Sequence, residues 1–214
     1  MNHFLKQLFI AVCLLIQSGI LMAQKGTKTF RDDFNDNKHN WPIYDNEYFK
    51  TEIKEGVYLI HFKQKEKVDK NHFIKFDHIS LMKPFSIEAR IKQMEVKNAE
   101  MPNTYGLVIG EKDRGNSHYF TVSQSEKVST WYYMQAHKYY LIKRMPVLAN
   151  TFQKEDSSGT KFFVKFIDGN LYFYVNDEFL GKLPKPEFWM GSGIGIYVSS
   201  GMKLAVDYIE MREL

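Results

Sequence analysis

The sequence predicts an all-β chain folded as a two-sheet antiparallel β-sandwich. Three observations carry that expectation. The run from Phe162 to Gly181, FFVKFIDGNLYFYVNDEFLG, reads as two consecutive hairpins, with arms dense in aromatic and β-branched residues and turns at Asp168-Gly169-Asn170 and Asn176-Asp177. Phe85, Ile87, Ala89 and Ile91 alternate strictly with Ser86, Glu88, Arg90 and Lys92, the pattern of a strand with one face on a core and the other in water. Strand signals of this kind recur at short spacing between turn residues, and no stretch sustains a helical period.

The chain opens on an expected secretory signal peptide over residues 1–23. Lys6 supplies the positive region, Leu8 to Met22 the apolar segment, and Ala23 the cleavage point before Gln24. Gln17, Ser18 and Gly19 interrupt that segment, which argues against a spanning anchor. Residues 24–214 are then one β-sandwich domain of a secreted or periplasmic protein. The single cysteine, Cys13, falls inside the signal, so the mature chain has no disulfide and no thiolate chemistry, and its stability rests on burial. The formal charge is +4, one unit of it from Lys6. Lysines are scattered rather than gathered into a basic stripe, which speaks against a nucleic-acid partner, and the Gln64 to Lys70 run reads as a loop facing water.

Strands are expected over 29–34, 48–53, 57–63, 73–76, 85–96, 104–109, 119–124, 128–135, 138–143, 161–167, 171–175, 193–199 and 203–211. Leu171, Phe173 and Val175 share a face and belong to the core. The last strand is partly apolar on both faces, which predicts a central position in its sheet. The one long connection without a pattern is 145–159.

Four segments in this order resemble the concanavalin A-like lectin and glucanase superfamily, in its laminin G-like jelly-roll branch of secreted bacterial domains. They are Asp32-Asp33-Phe34 with Trp41-Pro42; the Phe85 to Ile91 strand leading to Tyr105-Gly106-Leu107-Val108-Ile109-Gly110; the hairpin ending Phe173-Tyr174-Val175-Asn176; and Gly193-Ile194-Gly195 with Val206-Asp207-Tyr208-Ile209. The resemblance spans nearly the whole mature chain. It implies jelly-roll topology and leaves activity open, because this sandwich hosts lectins, glycosidases and adhesion modules.

Glycosidases of the superfamily carry acids at positions 0, 2 and 5 of one strand, two of which flank the sugar bond. The nearest match is Glu111-Lys112-Asp113-Arg114-Gly115-Asn116, where Asn116 replaces the acid and cannot donate the proton. Recognition is therefore the expected role, with no catalytic residue assigned. Sugars present C–H faces to aromatic rings and hydroxyls to fixed polar groups. The stretch from Trp131 to Tyr140 is the richest in both, and Trp131, Tyr133 and Gln135 share one face by strand alternation. The expected ligand residues are Trp131, Tyr133, Gln135 and His137, with Arg114 and Asn116 from a neighbouring loop, and the expected partner is a glycan or cell-envelope polysaccharide. Packing competes for the same aromatic residues, Trp41 and Trp189 included.

No cofactor is required. The resemblance allows calcium near the joined termini, with Asp33 and Asp207 as candidate ligands, while turn and capping chemistry is the competing role of the Asp32 to Asn37 run, which fails as an EF-hand, having Lys38 where Gly is needed and Tyr44 where Glu is needed. Seven histidines occur without zinc-ligand spacing. Gly191-Ser192-Gly193-Ile194-Gly195 fits neither a phosphate loop nor a nucleophile elbow, since it leads into a strand. Two other functions remain open at this point: a glycoside hydrolase, and an adhesion or envelope module that binds protein through an exposed apolar patch.

Overall fold

The computed structural model describes residues 28–63, 70–75 (backbone), 80–96, 103–113, 116–123, 125–136, 138–147, 159–186 and 191–214. Residues 1–27, which include the expected signal segment, Arg114, His137, Trp189 and most of the 64–70 and 145–159 connections lie outside them. Alternating patterns become fifteen strands among these residues: β1 (Thr29–Asp32), β2 (Tyr44–Asp45), β3 (Phe49–Lys54), β4 (Val57–Phe62), β5 (Lys70–Lys75), β6 (Phe85–Val96), β7 (Thr104–Asp113), β8 (Asn116–Ser123), β9 (Val128–Gln135), β10 (Lys138–Pro146), β11 (Thr160–Ile167), β12 (Asn170–Val175), β13 (Glu178–Pro184), β14 (Gly193–Val198) and β15 (Met202–Glu213).

β6 and β9 begin and end where the sequence pattern predicts. β7 and β10 run three to four residues past their expected ends, through Gly110 to Asp113 and Arg144 to Pro146. The two-residue β2 was not anticipated, being too short to carry a period.

Local turns fix much of the register. Glu55–Gly56, Asp168–Gly169 and Asn176–Asp177 each have positive φ at both residues (55° and 73°, 50° and 71°, 49° and 66°), as a two-residue type I′ hairpin requires. Asn170 pairs with Ile167, so it opens β12 and is not part of the turn.

The strands form two antiparallel sheets. One runs β13-β12-β11-β6-β15-β4-β3-β2, with β1 also on β15; the other runs β10-β9-β8-β7-β14-β5. β15 is central as expected, flanked by β6 on one side and by β4 and β1 on the other.

The sheets meet through their apolar faces. Ile87, Ala89, Phe162, Val164, Leu171, Phe173 and Val175 of the nine-stranded sheet oppose Tyr105, Leu107, Ile109, Phe120, Val122 and Trp131 of the six-stranded sheet in one continuous core. Phe173 touches both Phe120 (4.9 Å) and Trp131 (4.8 Å), and Phe162 lies 5.8 Å from both Tyr105 and Phe120. The polar atom that Tyr105 brings inside is satisfied by Thr160, Oη to Oγ1 2.7 Å. Near the start of the chain, buried Asp32 accepts from the Trp41 indole (2.8 Å) and the Phe34 amide (2.9 Å), which fixes the Phe34–Trp41–Tyr58 ring cluster under β4.

Candidate functional site

β8 separates the two faces of the six-stranded sheet. Phe120 and Val122 enter the core, so Ser117, Tyr119, Thr121 and Ser123 point the other way, towards the outer face. Pairing carries this parity sideways: Val108, Tyr119 and Tyr132 lie opposite one another in turn, as do Ser117, Met134 and Tyr139, while Tyr197 of β14 faces Gly106. The outer face is thus aromatic. Tyr119 and Tyr132 stack at 4.7 Å and 7°, Tyr197 meets Tyr119 edge-on at 5.5 Å, and Tyr139 meets Tyr132 edge-on at 5.5 Å. Exposure rises across the group: Tyr119 is fully buried, Tyr132 half-buried, and Tyr139 is 52% exposed. Rings therefore run from a shielded floor to an open rim. Ser117 Oγ donates to Tyr119 Oη at 2.6 Å, adding a polar pair to the floor.

Glu111 joins this face through a backbone irregularity. Gly110 adopts φ 69°, and the β7–β14 register slips there, so that Ile109 opposes Ile194 while Glu111 opposes Gly193. Without the extra residue the carboxylate would turn to the opposite side. Glu111 is fully buried. Gly191 is packed on its backbone: a Cβ there would lie 2.3 Å from the Glu111 carbonyl oxygen, so any larger residue must push this segment away.

The expected site residues are divided by the structure. Trp131 is corrected from ligand platform to core: it is 1% exposed, and its ring fills the space between Phe173 and His118. Tyr133 is on the same inward side, half-buried, stacked on Tyr140 at 4.8 Å. Gln135 is exposed at the end of β9. Asn116 accepts from the Ala136 amide (3.4 Å) and donates to Asp113 (2.7 Å), which ties the β7–β8 turn to the β9–β10 turn beside Gln135. Asn116 and Gln135 therefore come together at one end of the sheet, while Arg114 and His137 lie outside the described residues.

Glu111 and Asp113 lie on β7 and Asn116 on the paired strand β8, so the three positions do not line one strand. Sequence reading missed Glu111, Tyr119, Tyr132 and Tyr197 as one group. Alternation identifies which residues share a face but cannot say which face turns outward, and in the 131–135 stretch the outward set is the even-numbered one.

Asp33 and Asp207 do not fit a calcium site. Both oxygens of Asp33 accept from the Arg31 guanidinium (2.6 to 3.1 Å), Asp207 is exposed at an irregularity of β15, and among the described residues no three acidic or histidine side chains form a metal-holding group. The charges here serve each other. Arg31 also donates to Glu210 (2.9 Å), and Arg212 bonds the same carboxylate; the Arg212 hydrogen bond, then that from Arg31, holds Glu210 below the usual glutamate range against the opposing effect of burial. Beside them the Tyr208 hydroxyl is pushed up to about 12, first by burial and then by its hydrogen bond to Glu88.

No family model matches the chain, and no curated protein matches its sequence. Solved structures do match. A protein of unknown function with a galectin-like fold from Bacillus subtilis is 8% identical, with 87% of this chain and 98% of that one covered at a TM-score of 0.60. The β-glucanase of Bacillus licheniformis is 9% identical, covering 87% and 99% at 0.57. The carbohydrate-binding module CBM66 from Bacillus subtilis is 12% identical, covering 78% and 96% at 0.50. At these identities the likeness is one of fold alone: the chain has a jelly-roll sandwich fold similar to the galectin-like and β-glucanase structures.

Proposed function

We propose that this protein is an exported carbohydrate-recognition domain whose binding surface is the outer face of the six-stranded sheet. The observation that carries the reading is the floor-to-rim tyrosine group, Tyr119, Tyr197, Tyr132 and Tyr139, set beside Glu111 and Ser117. Rings of this kind stack on sugar C–H faces. Tyr132 and Tyr139 are the stacking residues, because they are the members open to solvent. The solved carbohydrate-binding module and β-glucanase of the same fold support a saccharide ligand, and the apolar N-terminal segment supports export.

Recognition is favoured over hydrolysis. Two carboxyl groups must flank a glycosidic bond, and among the described residues Glu111 is the one acid that strand register places on this face. Isothermal titration with β-linked gluco- and xylo-oligosaccharides tests the reading. Replacing Tyr132 or Tyr139 with Ala weakens binding about tenfold or more, the loss expected of a central aromatic contact. Binding that is unchanged in both variants contradicts it.

A further inference from the structure

The solvent face of the nine-stranded sheet departs from the rule that its own β6 obeys. β6 presents Ser86, Glu88, Arg90 and Lys92 outward, as a half-solvated antiparallel strand should. Towards the β13 edge the same face turns aromatic. Register places Phe163, Tyr174 and Phe179 in one row across β11, β12 and β13, with centroids 5.5 and 5.4 Å apart. The next row reads Lys165, Tyr172, Lys182, and Tyr172 lies 6.4 Å from Phe179. Phe179 is 52% exposed, and the other three rings are half-buried.

Four rings on a surface face form a patch of the kind that marks a binding site. The cations select the partner. Lys161 is neutralised by Asp177, whereas among the described residues Lys165 and Lys182 take part in no ion pair. Strands lie about 4.8 Å apart, so a chain laid across them meets a new side chain at roughly each sugar unit. Pyranose faces then rest on Phe163, Tyr174 and Phe179 while carboxylates reach the lysines on either side of Tyr172. We infer that this face is a second glycan site, specific for an acidic polysaccharide of the uronic-acid class, on the opposite side of the sandwich from the tyrosine site.

Polygalacturonate is the probe, with its fully methyl-esterified form as the uncharged control. The intact chain binds polygalacturonate, binds the ester at least about tenfold more weakly, and loses affinity as salt screens the lysines. Phe179→Ala combined with Tyr172→Ala weakens binding about tenfold, as does Lys165→Gln combined with Lys182→Gln. These are surface positions, and circular dichroism confirms that each variant is folded. Tyr132→Ala leaves polygalacturonate binding unchanged, which separates this site from the other. Equal affinity for acid and ester overturns the inference. So does dependence on the lysines without dependence on the rings, or binding to anionic phospholipid vesicles with none to polygalacturonate.

Discussion

Trp131 and Tyr132 are neighbours on one strand with opposite duties. The Trp131 ring is locked between the sheets by Phe173 and His118, so Trp131→Ala leaves a cavity and costs about 3–5 kcal/mol, measurable by urea denaturation. Tyr132→Ala removes a half-buried ring whose main contact is the stack on Tyr119, and its stability cost is about 1 kcal/mol. A Tyr132→Ala loss as large as that of Trp131→Ala would mean that both rings are core. The composition of this stretch was legible in the sequence as aromatic and polar together. Its orientation was not, because strand alternation has two phases and the choice depends on which residues Phe173, from a strand about forty residues later, can reach.

At the scale of elements, β15 couples its neighbours through charge as well as through the ladder. Glu210 is bonded by Arg212 of the same strand and by Arg31 of β1, and its carboxyl titrates below the ordinary value of 4.5. The folded state therefore favours the charged form more than the unfolded chain does. That stabilisation is present above the unfolded value and is lost as pH falls through the lowered folded value. Glu210→Gln is accordingly less stable than the parent at pH 7, and the gap narrows below about pH 4, read from urea midpoints at the two pH values. A gap independent of pH would show that the carboxylate contributes by shape alone. The hairpin elements were the most legible, since Asp168-Gly169 and Asn176-Asp177 state their turn type locally. The Gly110 slip was not legible: an extra residue in β7 shows only against β14, more than eighty positions away.

The whole molecule is two sheets around one core, and each sheet also carries aromatic groups on its outward side. The sandwich was readable because local alternation repeats along the chain. Sheet membership was not, because β7 lies beside β14 and β6 beside β15 through contacts that no local pattern encodes. This architecture leaves two separated surfaces, a tyrosine floor with Glu111 on one side and the Phe163 row with its lysines on the other. The central claim is that the first of these recognises neutral glycan. The most direct measurement is a titration of the isotopically labelled protein with soluble β-linked oligosaccharides, followed through backbone amide chemical shifts. Perturbations gathered on Val108, Tyr119, Tyr132, Tyr139 and Tyr197 are the predicted result. Perturbations confined to β11, β12 and β13, or none at millimolar oligosaccharide, would contradict it.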